Sequence, residues 1–117
     1  MGITYLKGTV VGPTGTQASV EFLVDSGATY TLLPLPVWRE ISLTPRRCSR
    51  FRLADGTAIE RNVSECQIRL PQGEGHTPVI LGEKDDTALL GVITLEELGL
   101  VLNPFTRELQ PMQMLLA

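Results

Sequence analysis

The chain has 117 residues, 43% hydrophobic and 20% charged, a globular composition that points to one domain, residues 1–117, with a core of its own. Ten Lys and Arg against thirteen Asp and Glu leave a net charge of −3, so there is no general attraction to nucleic acid. No apolar run approaches the length needed to span a bilayer, and no membrane partner is expected.

Eleven Gly and eight Pro punctuate short apolar runs, which favours many strands and turns over long helices. The opening "MGITYLKGTV" lacks a basic start followed by a long apolar stretch, so no secretory signal is expected. Leu6 stands where an N-myristoylation motif needs Ser or Thr. The expected compartment is the cytoplasm. There Cys48 and Cys66 are reduced thiols, and the glycosylation pattern Asn62-Val63-Ser64 has no role.

Residues 3–11 and 18–25 read as two strands joined by "GPTG", because Val20, Phe22 and Val24 alternate with Ser19, Glu21 and Leu23. "TYTLLP" reads as a short strand stopped by Pro34, and Pro36 opens a short helical turn in "LPVWREISL". "RFRLADGTAIERNV" carries the strongest hairpin signal, two extended segments about Asp55-Gly56. "SECQIRLP" and "TPVILG" read as strands around a Gly-rich loop at 72–75, which would leave His76 in a loop. "TALLG" reads as a buried strand and "TLEELGL" as a short helix, with Thr94 as its cap, Glu97 completing a capping box and Gly99 ending it. "LVLNPFTRELQPM" reads as a hairpin around Asn103-Pro104. The expected fold is mainly β, with one short helix near the C-terminus.

One feature of the pattern asks for explanation. In "VEFLVDSGATYTLLP" an apolar strand delivers Asp25 into a turn of Ser26, Gly27 and Ala28. Two readings are open: a surface turn in which Asp and Gly serve the backbone, or an acid held in a cleft for chemistry. The order of elements around it bears on the choice. "LVDSGAT" at 23–29, a later hairpin tip, and "ALLGVITLEELGLVLNP" at 88–104 together resemble the retropepsin-like aspartic proteases, in particular their small single-domain bacterial and archaeal members.

The resemblance covers roughly residues 4–111 and implies a retropepsin-like acid protease β-barrel. It implies that Asp25 is catalytic, that Ser26, Gly27, Ala28 and Thr29 support the active-site loop, and that Leu89, Leu90 and Gly91 pack behind it. It further implies that Leu53, Ala54, Asp55, Gly56, Thr57, Ala58 and Ile59 form the flap over a bound peptide. Val92 and Ile93 follow Gly91 where many relatives place a polar or charged residue, and the flap tip carries an acid in place of several glycines.

The chemistry is consistent with this on its own terms. Two carboxylates a few Å apart can share a proton, so that one takes a proton from water while the other gives one to the amide. No second Asp-Ser-Gly or Asp-Thr-Gly occurs, so the chain is read as a half-site whose partner is a second copy of itself. The expected function is a homodimeric aspartic endopeptidase acting on peptide or protein substrates, with no cofactor and no metal. The alternative is a catalytically silent peptide-binding or scaffolding module of the same fold. "MQMLLA", five apolar residues in six, is expected to help join the subunits through Met112 to Leu116, or else to cover its own barrel.

The lone His76 is a solvated side chain, and Trp38 is a core or rim aromatic. Arg46, Arg47, Arg50 and Arg52 form a solvated edge-strand face, with recruitment of acidic substrate segments as the functional alternative. "GEKDD" at 82–86 lacks the ligand spacing of a calcium loop and reads as a flexible acidic segment.

Overall fold

Period-two burial organises residues 3–112, the part of the chain that the computed structural model describes. Strand β1 (Thr4–Val11) pairs antiparallel with β2 (Gln17–Val24), from Thr4 opposite Val24 to Val11 opposite Gln17. Along β2, Ala18, Val20, Phe22 and Val24 turn inward while Gln17, Ser19 and Glu21 face solvent. The remaining elements are β3 (Thr31–Leu33), α1 (Leu35–Glu40), β4 (Arg47–Arg52), β5 (Ala58–Leu70), β6 (Gly73–Leu81), β7 (Leu89–Leu90), α2 (Val92–Glu97), β8 (Leu100–Leu102) and β9 (Leu109–Pro111).

The large sheet runs β1-β2-β7-β3-β6-β5-β4. Because β1 also pairs with β5, from Thr9 opposite Arg69 to Val11 opposite Gln67, the sheet closes on itself into a barrel. The short strand β7 is inserted between β2, to which it is parallel, and β3, to which it is antiparallel. Among the described residues strand β4 pairs only with the first half of β5 and so forms an edge of the sheet. Strands β8 and β9 make a separate ribbon. Phe22, Leu33, Ile41, Ile68, Val79 and Leu90 fill the barrel, and Leu95 of α2 and Leu100 of β8 join the same core. The fold is mainly β, and among the described residues no helix is long and apolar enough to cross a membrane.

Five expectations need correction. Among the described residues there are two short helices and not one, since the Pro36 segment completes α1 with a proline in its first turn. The Gly-rich stretch at 72–75 is not a loop. Strand β5 runs unbroken for 13 residues, turns at Pro71 and Gln72, and β6 begins at once with Gly73 opposite Leu70 and Gly75 opposite Ile68. His76 is therefore an exposed strand residue opposite Gln67. Thr94 does not cap α2, which starts at Val92 behind an extended Gly91; its hydroxyl points into the core instead. The 82–86 segment is tied down by Glu83 N–H to Asp86 Oδ2 at 2.6 Å and by Leu35 N–H to the Glu83 carbonyl at 3.1 Å.

Trp38 is a rim aromatic, half-buried against the core, with its indole N–H donated to the Gly82 carbonyl at 2.8 Å. Of the tail expected to reach a partner, residues 113–117 lie outside the described part; Met112 donates its N–H to the Gly99 carbonyl at 2.8 Å.

Candidate active site

Asp25 is the first residue after β2, and its position follows from how β2 ends. Leu23 N–H donates to the Ala88 carbonyl at 2.9 Å and Asp25 N–H to the Leu90 carbonyl at 3.1 Å, so β7 holds the strand up to the acid itself. The chain then turns back, with Ala28 N–H donating to the Asp25 carbonyl at 3.0 Å. Gly27 N–H donates to Asp25 Oδ1 at 2.9 Å and fixes the carboxylate, which remains partly solvent-accessible. Ser26 and Gly27 are exposed beside it. None of the four ion pairs among the described residues engages Asp25.

Helix α2 braces this loop from behind. A helix leaves its first N–H groups without partners inside the helix. Here Val92 N–H goes to the Ala28 carbonyl at 2.8 Å and Ile93 N–H to the Thr29 carbonyl at 3.0 Å. The polar support that Val92 and Ile93 lack in their side chains is supplied by their backbones. Gly91 makes the approach feasible, because a Cβ there would lie 2.4 Å from the Tyr30 carbonyl carbon.

A second support lies deeper. Thr31, Thr77 and Thr94 are buried, at 0%, 2% and 0% exposure, and their hydroxyls meet. Thr94 Oγ1 bonds both Thr31 Oγ1 and Thr77 Oγ1, the latter at 2.7 Å. Gly91 N–H donates to Thr31 Oγ1 at 3.1 Å, and Thr77 donates to the Pro78 carbonyl at 3.2 Å. One direction of donation, Gly91 to Thr31 to Thr94 to Thr77 to Pro78, therefore satisfies every hydroxyl in the chain. Sequence reasoning missed this network; its only trace is threonine at inward positions of apolar segments.

Over the loop stands the β4–β5 hairpin. Phe51 lies opposite Ile59 and Ser49 opposite Arg61, so these four share one face. With Gly27, Ala28, Thr29, Tyr30, Leu32, Ile80 and Leu89 they line a cleft of about 770 Å³ between hairpin and barrel. Asp25 and Ser26 do not line this cleft; Asp25 is tied to it through Gly27, a lining residue whose N–H is bonded to Asp25 Oδ1. Among the expected flap residues, Leu53 and Ile59 reach the cleft; Ala54, Asp55, Gly56 and Thr57 form the exposed tip, and Ala58 faces away. Leu89 lines the floor, while Leu90 is buried in the core beneath it.

Thr57 N–H donates to Asp55 Oδ1 at 2.8 Å, and that bond holds the Asp55 carboxyl below its ordinary value of 3.8. Among the expected arginines, Arg50 and Arg52 border the cleft from positions of β4 that alternate with its inward-facing Ser49 and Phe51, and Arg52 donates to the Gly56 carbonyl at 3.1 Å. Arg46 pairs with Glu65 at 3.5 Å and Arg50 with Glu60 at 4.0 Å, both in the open. Arg61, which sequence reasoning passed over, lines the cleft and pairs with Glu83 at 3.0 Å.

The family model for "gag-polyprotein putative aspartyl protease" matches residues 14–97, well over half of the chain. The chain belongs to this retroviral-type aspartyl protease family. The match spans the Asp25 turn, the hairpin, β7 and α2. No match was found among curated proteins.

Proposed function

We propose that this retropepsin-like chain, acting as one domain over residues 1–117, is an aspartic endopeptidase that works as a homodimer. Asp25 is the catalytic group, Ser26–Thr29 support it, and the 53–59 hairpin closes over the substrate. The observation that carries the reading is a partly exposed carboxylate, anchored by Gly27 N–H in a loop that is doubly braced from α2 and, from Gly27 on, lines a hairpin-roofed cleft.

Two copies of Asp25, one from each subunit, would flank one water across a two-fold axis. The ionised carboxylate takes a proton from the water as its oxygen attacks the scissile carbonyl carbon. The protonated carboxyl hydrogen-bonds the carbonyl oxygen as charge develops there. Collapse of the tetrahedral species breaks the C–N bond, and the departing nitrogen takes a proton from the dyad. Like charges this close do not both ionise readily, so activity belongs to the pH window in which the pair holds one proton. The expected profile is an acid-to-near-neutral bell.

The test is a peptide-library digest over a pH series with wild type and Asp25→Asn. Cleavage by wild type alone, lost as the second proton leaves, supports the reading. Equal cleavage by both proteins ends it, and tight peptide binding without cleavage by wild type would make the chain a binding module.

A further inference from the structure

Among the described residues strand β4 is an edge, and its only strand partner is β5. Left to that pairing, the hairpin over the cleft would be a lever hinged on one side. Tyr30, the residue directly after Asp-Ser-Gly-Ala-Thr, closes the other side. Its ring meets Phe51 edge-on, with centroids 5.4 Å apart and planes at 87°, a favoured aromatic geometry. Its hydroxyl accepts a hydrogen bond from Arg47 Nη2 at 3.0 Å. Arg47 also reaches Ser49 Oγ on its own strand, which fixes the guanidinium in place. Arg47, Ser49 and Phe51 alternate along β4, so all three turn toward the active-site loop. The backbone of Tyr30 is itself immobilised, because its carbonyl packs against Gly91 and its neighbours Thr29 and Thr31 are both bonded to the α2 region.

We propose that Tyr30 is a positioning residue that seats the hairpin roof on the Asp25 loop, through its ring on Phe51 and its hydroxyl to Arg47. The inference rests on the protease reading for its consequence, though not for its physical content. Opening the roof for an incoming peptide breaks an edge-to-face contact and one charge-assisted hydrogen bond. The rest of the active-site loop stays put, since its braces run to α2 and not to the hairpin. Each half of the latch biases the open–closed equilibrium roughly two- to tenfold. A peptide that needs the closed roof would bind more weakly by the fraction of closed protein lost.

Two readouts test this on the full chain. In millisecond amide hydrogen exchange, Tyr30→Ala and Phe51→Ala should each speed exchange at 50–53 and 57–61 by roughly two- to tenfold. The double variant should be little faster than Tyr30→Ala, because Phe51→Ala removes a contact that Tyr30→Ala has already removed. Tyr30→Phe and Arg47→Gln, which keep the rings, should lie between, and β1–β2 amides should not change. In peptide cleavage, Tyr30→Ala should raise KM while kcat at saturation recovers, with Tyr30→Phe restoring most of the loss. Unchanged hairpin exchange in Tyr30→Ala, additive single effects, or acceleration spread over the whole barrel overturns the proposal. Exchange decides the latch even if wild type cleaves nothing, a result that would sink the protease reading alone.

Discussion

Thr94 carries more of the site than its position in a short helix would suggest. Its hydroxyl is the middle link of a buried chain running from Gly91 N–H to the Pro78 carbonyl. Thr94→Val keeps the shape but leaves Thr31 without an acceptor for its proton and Thr77 without a donor, so it should lower unfolding free energy by about 1–3 kcal/mol. Urea denaturation checks this, with the exposed Thr87→Val as a control that should change little.

The thiols separate at the same scale. Cys66 is buried, and burial, with Glu65 beside it, pushes its thiol up to about 12, whereas Cys48 is exposed. A thiol reagent should count one cysteine in the native protein and two in denaturant. Cys66 also makes stability depend on alkaline pH. Its folded value lies above the ordinary 9.0, so the folded state holds the proton after the unfolded chain has released it. Its contribution is intact below pH 9 and is lost as pH rises toward 12, a few kcal/mol at most. Cys66→Ala should flatten that alkaline decline; an unchanged slope in denaturation curves from pH 8 to 11 would refute it.

Among the elements, the hairpin tip shows how far local chemistry reaches. Leu53 N–H donates to the Thr57 carbonyl at 2.8 Å and Gly56 N–H to the Leu53 carbonyl at 2.9 Å, and Gly56 closes the loop at φ 91°. Asp55 keeps an ordinary φ, so only the glycine position requires the left-handed region. Gly56→Val should strain this tip while leaving the barrel intact. On the protease reading, kcat/KM should fall severalfold with a melting shift of a few degrees at most. Unchanged kinetics would mean that the tip takes no part in turnover.

The tip was legible because Asp55-Gly56 and its flanking alternation act locally, and β1 and β2 were legible for the same reason. Strand β6 was not. Gly73 and Gly75 look like loop residues, yet the ladder to Leu70 and Ile68 overrides their preference. The capping box at Thr94 and Glu97 misled in the same way, since a local pattern lost to two hydroxyls from distant strands. At the site, the Asp25 turn and the Gly91 segment could be read from the sequence. The Tyr30–Phe51 contact could not, because it depends on how an edge strand folds back over the barrel.

At the scale of the whole molecule, the chain provides a single Asp-Ser-Gly, and the proposed reaction needs two carboxylates. The surface next to Asp25 bears on how a second copy would meet it. Strand β1 flanks the end of β2, with Tyr5 opposite Leu23 and Thr4 opposite Val24. Tyr5 and Ile3 stand 56% and 67% exposed there, apolar side chains beside the acid that the two-fold axis would have to pass. Specific activity should therefore fall on dilution, in step with dissociation followed by analytical ultracentrifugation, because the site would exist only in the dimer. Tyr5→Asp should shift that dissociation to higher concentration while leaving the thermal transition of the subunit in place. Deleting residues 112–117 tests the tail separately: weaker dimerisation without unfolding supports its role at the interface, and unchanged dimerisation removes it. Activity proportional to concentration in a demonstrably monomeric sample would overturn the shared dyad itself, whatever the surface variants do.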